Sequence, residues 1–380
     1  MKPPWRRLPR GSRRAAAIGL VALLACAVGG WFDPRAFFQG WLIAWLFVLG
    51  TALAAMMNVM IHELTGGEWG LVLRPPLEAA MLTLPFCALL ALPLAFGLPE
   101  LFAWARPADV AASAALQHRQ WFLNVPSFLV RNGVWLLAWS ILAVALGLRL
   151  GHRGPADLRL RRRLSVTGLL VYLVTVTVFA YDWIVSLVPE WSSTAVGVRL
   201  GAGEFLGAFA FGVVFATLAR KRTGLVPTPR DNQDFGNLLL TFAMFWGYIA
   251  FTQFLIVWGE DIPRETSWYG PRVQTSWHWL GLAVLALELV VPFLAMLFRS
   301  VKRDASALAT VCALVLAGQW LDTLWLTAPS LRHAGFAIHW LDLVALVAQG
   351  GVWLALVAAI VEWLPPARAI VKDTEAGAHA

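Results

Sequence analysis

The chain has little charge for its length. Only 14% of its 380 residues are Asp, Glu, Lys or Arg, whereas a soluble domain carries roughly 25%. Hydrophobic residues make up 59% of the sequence, and its mean hydropathy is +0.68. These values exclude a soluble globular domain and indicate an integral membrane protein that crosses the bilayer several times.

The sequence also lacks the usual ligands of redox cofactors. Its three cysteines, Cys26, Cys87 and Cys312, stand alone in apolar runs without CxxC or CxxCH spacing, so no iron–sulfur cluster, covalent haem or disulfide is indicated. The seven histidines form no obvious pairs at matched depth, which argues against b-type haem. No metal-ligand spacing, phosphate loop or nucleophile–base pair is visible. We therefore expect no metal, no covalently bound cofactor and no catalytic residue.

The basic excess has a topological explanation. The chain has 30 Lys and Arg residues against 22 Asp and Glu, but the basic residues lie in short loops between apolar runs. That distribution is typical of membrane topology signals, so we expect contact with membrane lipid and no nucleic-acid partner. Many of the 21 tryptophans lie at the ends of apolar runs, as in an interfacial belt.

Ten apolar runs reach the length of about 20 residues that a transmembrane helix needs. They cover roughly 15–32, 36–61, 77–98, 126–148, 165–187, 198–219, 237–258, 277–298, 307–327 and 338–363. No strand alternation lies between them. We predict an all-α fold with one ten-helix transmembrane domain at 15–363, a basic N-terminus at 1–14 and a C-terminal tail at 364–380.

The first run allows two interpretations. Residues 1–14 are rich in arginine, and Leu23-Leu24-Ala25-Cys26 resembles a lipoprotein cleavage box, so a cleaved signal would remove this helix and acylate Cys26. Leu24 fits that box poorly, however, and the apolar run continues past Cys26. We favour an uncleaved first helix.

The basic residues also predict the orientation. The N-terminus, the C-terminal tail and the loops after even-numbered runs hold 22 basic residues, whereas the loops after odd-numbered runs hold 7. By the positive-inside rule both termini are predicted to be cytoplasmic.

Polar, aromatic loops collect on the opposite, non-cytoplasmic side. The stretch 181–193 interrupts apolar sequence with two carboxylates, two tryptophans and a proline, and the loop after the seventh run is similar. Such loops are costly to bury, so we expect them to face the membrane surface, a cavity or a partner. The candidate docking residues are Trp183, Trp191, Glu260, Asp261, Trp268 and Tyr269.

Several ionisable residues fall inside the apolar runs, mostly toward the non-cytoplasmic side. Charges there cost several kcal/mol unless they are paired or hydrated. One interpretation is a polar pocket for a quinone headgroup or a proton path, and the other is a set of buried ion pairs and interfacial anchors. Arg131 could pair with Asp182 or Glu204. The candidates for quinone binding or a proton path are Arg131, Asp182, Glu204, His278, Glu288, Asp322, His339 and Asp342.

Glu288 differs from the other candidates in depth. It lies eleven residues into the eighth run, which at about 1.5 Å per residue places it near the middle of the bilayer. A carboxylate at that depth has few structural explanations, so a role in proton transfer is favoured for it.

Five stretches resemble the NrfD/polysulfide-reductase-like membrane subunits, most closely the ActF-type, second quinone-binding subunit of alternative complex III. The stretches 182–192 and 245–258 are the most specific, although Arg199 and Glu204 add charge where that family is mostly apolar or aromatic. The matching stretches are 62–70 (HELTGGEWG), 123–126 (LNVP), 182–192 (DWIVSLVPEWS), 245–258 with 262–266, and 322–326 (DTLWL).

This resemblance implies two four-helix bundles, formed by helices 2–5 and 6–9, with helices 1 and 10 on the flanks. It also implies a sister NrfD-like membrane subunit, and multihaem cytochrome and iron–sulfur subunits docked on the periplasmic side. In such quinol:cytochrome c oxidoreductases the sister subunit is usually credited with quinol oxidation, and this type with support and a proton half-channel.

The leading hypothesis is therefore a non-haem subunit, in the bacterial inner membrane, of a respiratory, quinol-oxidising electron-transport complex. It would contribute to quinol binding, a proton path and docking of periplasmic subunits, with quinone or quinol as its expected ligand. Two other classes stay open. A proton-coupled secondary transporter would show discontinuous helices meeting near mid-membrane, and a structural scaffold would carry no chemistry.

Overall fold

The computed structural model describes residues 10–149, 155–223, 227–333 and 335–364. Over these ranges the chain contains no strand, and ten helices are long and apolar enough to cross a membrane. The predicted all-α, multi-pass membrane fold is therefore confirmed. Residues 1–9 and 365–380, which include most of the predicted cytoplasmic ends, lie outside the described residues.

We number the membrane helices α1 to α10. Two of them are interrupted, and short helices connect several others. Their bounds are α1 Arg10–Phe32, α2 Pro34–Thr65, α3 Trp69–Met81 continuing as Leu84–Leu89 and Leu92–Phe96, α4 Val125–Gly147, α5 Pro155–Trp183, α6 Val196–Thr223, α7 Pro229–Glu260, α8 Trp277–Leu285 continuing as a π turn Ala286–Val290 and as Val291–Leu297, α9 Ala305–Leu331 and α10 Trp340–Trp363.

Three helices begin at least eight residues earlier than their apolar runs predict. The predicted starts were 77, 165 and 237, whereas α3, α5 and α7 begin at residues 69, 155 and 229. In α7 the extra turns are polar and start with a capping box, in which Thr228 and Asp231 bond each other's backbone. An apolar-run criterion detects only the part of a helix that crosses hydrocarbon, so it misses such turns.

The helices form two neighbouring bundles. In the first, α2 packs against α3 and α5, and α4 packs against α3 and α5; in the second, α6 packs against α7 and α9, and α8 packs against α7 and α9. Contacts of α2 and α5 with α6 join the bundles, and α2 is largely buried between them. Helix α1 packs along α10, which in turn packs on α2. The arrangement agrees with the two flanked bundles that were predicted.

Glycine permits the close approach of α1 and α10. A Cβ atom on Gly19 would lie 2.7 Å from the backbone nitrogen of Val352, whereas a Cβ atom on Gly11 would meet nothing within 4 Å. Backbone cannot move aside cheaply, so Gly19→Ala should cost about 1–3 kcal/mol through overpacking. Thermal unfolding of the purified protein should show a lower Tm for Gly19→Ala and no loss for Gly11→Ala. Equal Tm values would contradict this close packing.

Helix α3 is broken, and tryptophans from α2 complete its hydrogen bonding. Pro85 and Pro93 lie in its second and third segments, and proline cannot donate a backbone hydrogen bond. Near these breaks, the carbonyl of Cys87 accepts from Trp45 Nε1 and the carbonyl of Leu90 accepts from Trp41 Nε1, each at 2.9 Å. The break is thus filled by protein side chains.

The two ends of the helical array differ in chemistry. The loops after odd-numbered helices share one end, which we call the aromatic end and which carries Trp104, Trp121, Trp191 and Trp268. The loops after even-numbered helices share the other, which we call the basic end. There Glu63 accepts from Arg74 and Arg161, and Arg74 also pairs with Glu78. This buried network ties α2, α3 and α5 together.

Candidate functional site

The structure divides the predicted polar pocket into separate groups. Of its two predicted partners, Arg131 pairs with Asp182 and not with Glu204, and Arg131 Nε lies 3.0 Å from Asp182 Oδ2. Asn132 Nδ2 donates to the same oxygen at 2.9 Å, while Asn132 Oδ1 accepts from Trp183 Nε1 at 2.7 Å. Because Asp182 is fully buried and its charge is matched, this group holds α4 against α5.

A second group lies where α9 leads into α10. Arg332 donates to both carboxylate oxygens of Asp342, each at 2.7 Å, and to Gln39 Oε1 at 2.9 Å. His339 is the N-cap of α10, and its ring accepts from the backbone of Leu341. His339 and Asp342 therefore anchor the connection between α9 and α10 to α2.

Glu204 lies between the two bundles and has no cationic partner among the described residues. Its oxygen Oε2 is 3.4 Å from the hydroxyl of Tyr172, which donates to it. Beside it lies a cavity of about 10 Å³, lined in part by Thr51, Gln319 and Thr323. A space of that size and polarity suits roughly one water molecule.

The remaining carboxylates come together inside the second bundle. Asp322 on α9 accepts from Arg199 Nη2 of α6 at 2.6 Å. Glu288 on α8 is fully buried and close enough to interact electrostatically with both residues. In the orientation that satisfies its amide, Gln319 donates to Glu288 Oε1 at 3.3 Å and to the carbonyl of Gly203 at 2.6 Å. A polar core thus links α6, α8 and α9.

Two atoms of this core have no hydrogen-bond partner in the described part of the chain. They are Nη1 of Arg199 and Oε2 of Glu288. Buried polar groups are nearly always bonded, and an unpaired one marks a place where a ligand or water can bind. Glu288 also lies in the π turn of α8, which precedes Pro292, and π turns are frequent at functional sites.

Arg272 closes the aromatic end of this bundle. Its side chain is fully buried and donates to the carbonyls of Trp268, Trp325 and Leu326 at 2.6, 3.0 and 2.7 Å. Pro329 lies inside α9 and cannot donate to the carbonyl of Trp325, four residues earlier, so Arg272 replaces that missing donor. The guanidinium also lies 3.5 Å from the Trp268 ring centroid, which is a cation–π contact.

A cleft of about 540 Å³ lies beside this core, between α7 and α8. Its walls are largely apolar and aromatic, and it is partly open at the membrane-facing surface. Residues that line it include Arg199, Trp246, Tyr269, His278, Leu289 and Trp325. Ligand sites typically combine such a volume with an apolar lining and a few polar groups.

The polar groups of the cleft can donate hydrogen bonds. Tyr269 presents a hydroxyl, and Arg199 lines the same wall, although its unpaired Nη1 atom is buried beneath the surface of the cleft. Burial raises the pKa of Tyr269 to about 12, so its hydroxyl keeps its proton at neutral pH. Of the sequence-predicted candidates, His278 lines the cleft directly, whereas Asp322 lies behind Arg199.

No protein-family model matches the chain, and no curated protein is significantly similar to it. The site is interpreted from its own geometry. Among the described residues, no three His, Cys, Asp or Glu side chains are placed to hold a metal ion.

The aromatic docking candidates need correction. Trp183, Trp191 and Trp268 are buried, because the loop after α5 folds onto the bundles and Trp191 stacks on Trp268 with ring centroids 4.8 Å apart. Tyr269 faces the cleft, so none of the four offers an open surface to a partner. Glu260 and Asp261 are exposed, and their role in docking stays a prediction.

Sequence reasoning missed three residues that shape these groups. Arg272 and Arg332 were counted as loop charges, and Gln319 was passed over because only ionisable residues were considered. One signal could have identified Arg272: Pro329 inside an apolar helix leaves a buried carbonyl that needs an external donor.

Proposed function

We propose that the chain is a quinol-binding, non-haem membrane subunit of a quinol-oxidising electron-transfer complex. The observation that carries the proposal is the cleft between α7 and α8, which combines aromatic walls, hydrogen-bond donors at one end and an opening toward the membrane. A quinone has the complementary chemistry: a flat ring, two acceptor oxygens and an apolar tail.

Each part of the cleft fits one part of that ligand. Aromatic side chains that include Phe251 and Trp325 line the cleft, and a quinone ring can pack against them. The Tyr269 hydroxyl can donate to one ring oxygen, and the Arg199 side chain lies in the same wall. The tail would follow Leu285 and Leu289 toward the bilayer.

Oxidation of a quinol to a quinone releases two electrons and two protons, and the polar core supplies an internal route for protons. Glu288 and Asp322 lie behind the cleft wall, and Gln319 connects Glu288 to the small cavity beside Glu204. Glu288 and Glu204 have no ion-pair partner among the residues that the structure describes, so either can gain and release a proton without breaking a salt bridge. The route leads from the cleft to the interface between the bundles.

The electrons would pass to partner subunits. The resemblance to the ActF-type subunit of alternative complex III suggests a sister NrfD-like subunit and periplasmic multihaem cytochrome and iron–sulfur proteins. In this arrangement the aromatic end faces the periplasm, and both termini are in the cytoplasm of a bacterium. The exposed Glu260 and Asp261 then belong to the docking surface.

The geometry supports this proposal over a secondary transporter. A transporter site is expected where broken helices meet and leave room for a substrate. Here the break in α3 is filled by Trp41 and Trp45, whereas the π turn of α8 packs against Gly318 of α9. Because the break in α3 and the π turn in α8 pack against different helices, they do not form the shared substrate site that a transporter needs.

A binding titration tests the proposal. A short-chain quinone analogue added to the purified protein in lipid nanodiscs should quench tryptophan fluorescence saturably, because Trp246 and Trp325 line the cleft. Tyr269→Phe removes one hydrogen bond, about 1 kcal/mol, and should raise the Kd about fivefold. Tyr181→Phe, a tyrosine at the same end of the first bundle, is the control and should leave the Kd unchanged. Quenching without saturation, or equal Kd values for both variants, would refute a quinone site here.

A further inference from the structure

The outward face of α7 carries two hydroxyl groups where the bilayer should be most apolar. Tyr248 is 66% exposed and lies ten residues from both Leu238 and Trp258, the ends of the apolar part of α7. At about 1.5 Å per residue that is about 15 Å from either end, which is the middle of a hydrocarbon core about 30 Å thick. Thr252 lies one turn further along the same helix.

Neither hydroxyl has a hydrogen-bond partner in the described part of the chain. Most other threonines of the membrane helices behave differently, because their hydroxyls donate to the carbonyl four residues earlier. This holds for Thr51, Thr175, Thr217, Thr241, Thr310, Thr323 and Thr327. A hydroxyl left unpaired in hydrocarbon costs several kcal/mol, and Tyr248 is too far from either surface to reach water.

The two hydroxyls form the centre of a continuous exposed face. Met244, Phe245 and Leu255 are 47%, 50% and 45% exposed and surround Tyr248 and Thr252 at helical spacing. The cleft lies on the neighbouring side of α7, where Gly247 packs against Leu289 of α8 and the exposed Phe251 is part of the wall. The outward face and the cleft therefore meet at Phe251.

We propose that this face of α7 is the interface with a second copy of the chain. A hydroxyl both donates and accepts, so two copies of the Tyr248–Thr252 pair satisfy each other without any other polar group. Copies inserted in the same direction are related by a two-fold axis along the bilayer normal, which places α7 parallel to α7 with equal residues at equal depth. The inference does not depend on quinol binding.

Cysteine cross-linking tests the interface directly. The native cysteines Cys26, Cys87 and Cys312 are buried, so an introduced thiol reacts without background. Met244→Cys and Leu255→Cys keep both hydroxyls and should give a disulfide-linked dimer on oxidation in membranes, because a disulfide needs Cα atoms about 4.4–6.8 Å apart. Val134→Cys is the control, since it is 50% exposed near the middle of α4.

The hydroxyls themselves are tested by removing them. Tyr248→Phe combined with Thr252→Val should weaken dimerisation in bilayers about tenfold, measured by energy transfer between labelled copies, because each membrane hydrogen bond contributes about 0.6–1.7 kcal/mol. Thr241 lies on the same face, but its hydroxyl bonds only to the backbone of its own helix. Thr241→Val should therefore leave dimerisation unchanged. A monomer, equal cross-linking at Val134→Cys, or cross-links from α7 to a different polypeptide would each overturn the proposal.

Discussion

Glu288→Gln should lower the quinol-oxidation rate of the assembled complex about 100-fold, since loss of a positioned proton acceptor typically costs 10²–10⁴-fold. The substitution keeps the size of the side chain but removes its ability to take up a proton. Glu288 is buried beside Gln319 and Asp322, behind the cleft wall, so the affinity for a quinone analogue should change less than twofold. Steady-state turnover and the binding titration, measured on the same preparation, separate the two effects.

A carboxylate far from the cleft provides the control. Glu362 is exposed near the end of α10, and Glu362→Gln should leave turnover unchanged. Unchanged turnover in Glu288→Gln would remove Glu288 from the proton route and favour the scaffold hypothesis. A parallel loss of binding and turnover would instead indicate that Glu288 shapes the cleft.

Arg272→Met should destabilise the protein more than any other single change considered. It removes three donors to main-chain carbonyls and a cation–π contact, and it leaves the Trp325 carbonyl buried without a partner. We expect a cost of about 4 kcal/mol, and a fall in Tm on the order of 10 °C. Thermal unfolding in nanodiscs measures this change.

A second substitution distinguishes this explanation from a general loss of packing. Pro329→Ala restores a backbone donor to the Trp325 carbonyl, because residue 329 lies four positions after residue 325 in α9. The double variant Arg272→Met, Pro329→Ala should therefore be more stable than Arg272→Met alone. If Pro329→Ala gives the same change in Tm with and without Arg272, the two residues do not share that carbonyl.

Much of the fold follows from the sequence because each membrane helix must present a long apolar run. The ten runs and the turns between them are local features, so composition alone locates them. The starts of α5 and α7 were less predictable. Their first turns are polar and extend beyond the hydrocarbon, where nothing requires an apolar residue.

The candidate site was harder to predict because pairing is not a local property. Asp182, Asp342 and Glu288 have similar apolar surroundings in the sequence, yet two of them meet an arginine and one does not. Arg332 approaches Asp342 from a loop, and Arg131 approaches Asp182 from another helix. Only the packed helices reveal which carboxylates are neutralised and which remain available.

The π turn in α8 shows the same limit. Pro292 suggests a local disturbance of the helix, but it does not tell which neighbour the displaced side chain will meet. In the fold, Gly318 of α9 leaves the space that Glu288 occupies, since a Cβ atom there would lie 2.8 Å from Glu288 Cγ. That coupling between α8 and α9 has no sequence signature.

Photolabelling tests the central claim most directly. A photoreactive azidoquinone, added to the protein in nanodiscs, should attach to residues 246–254 of α7 and 278–289 of α8, which border the cleft. Excess unlabelled quinone should prevent this labelling, and peptide mass spectrometry should find little label on α4. Uniform labelling of the exposed helices, or labelling that excess quinone does not displace, would contradict a quinone site between α7 and α8.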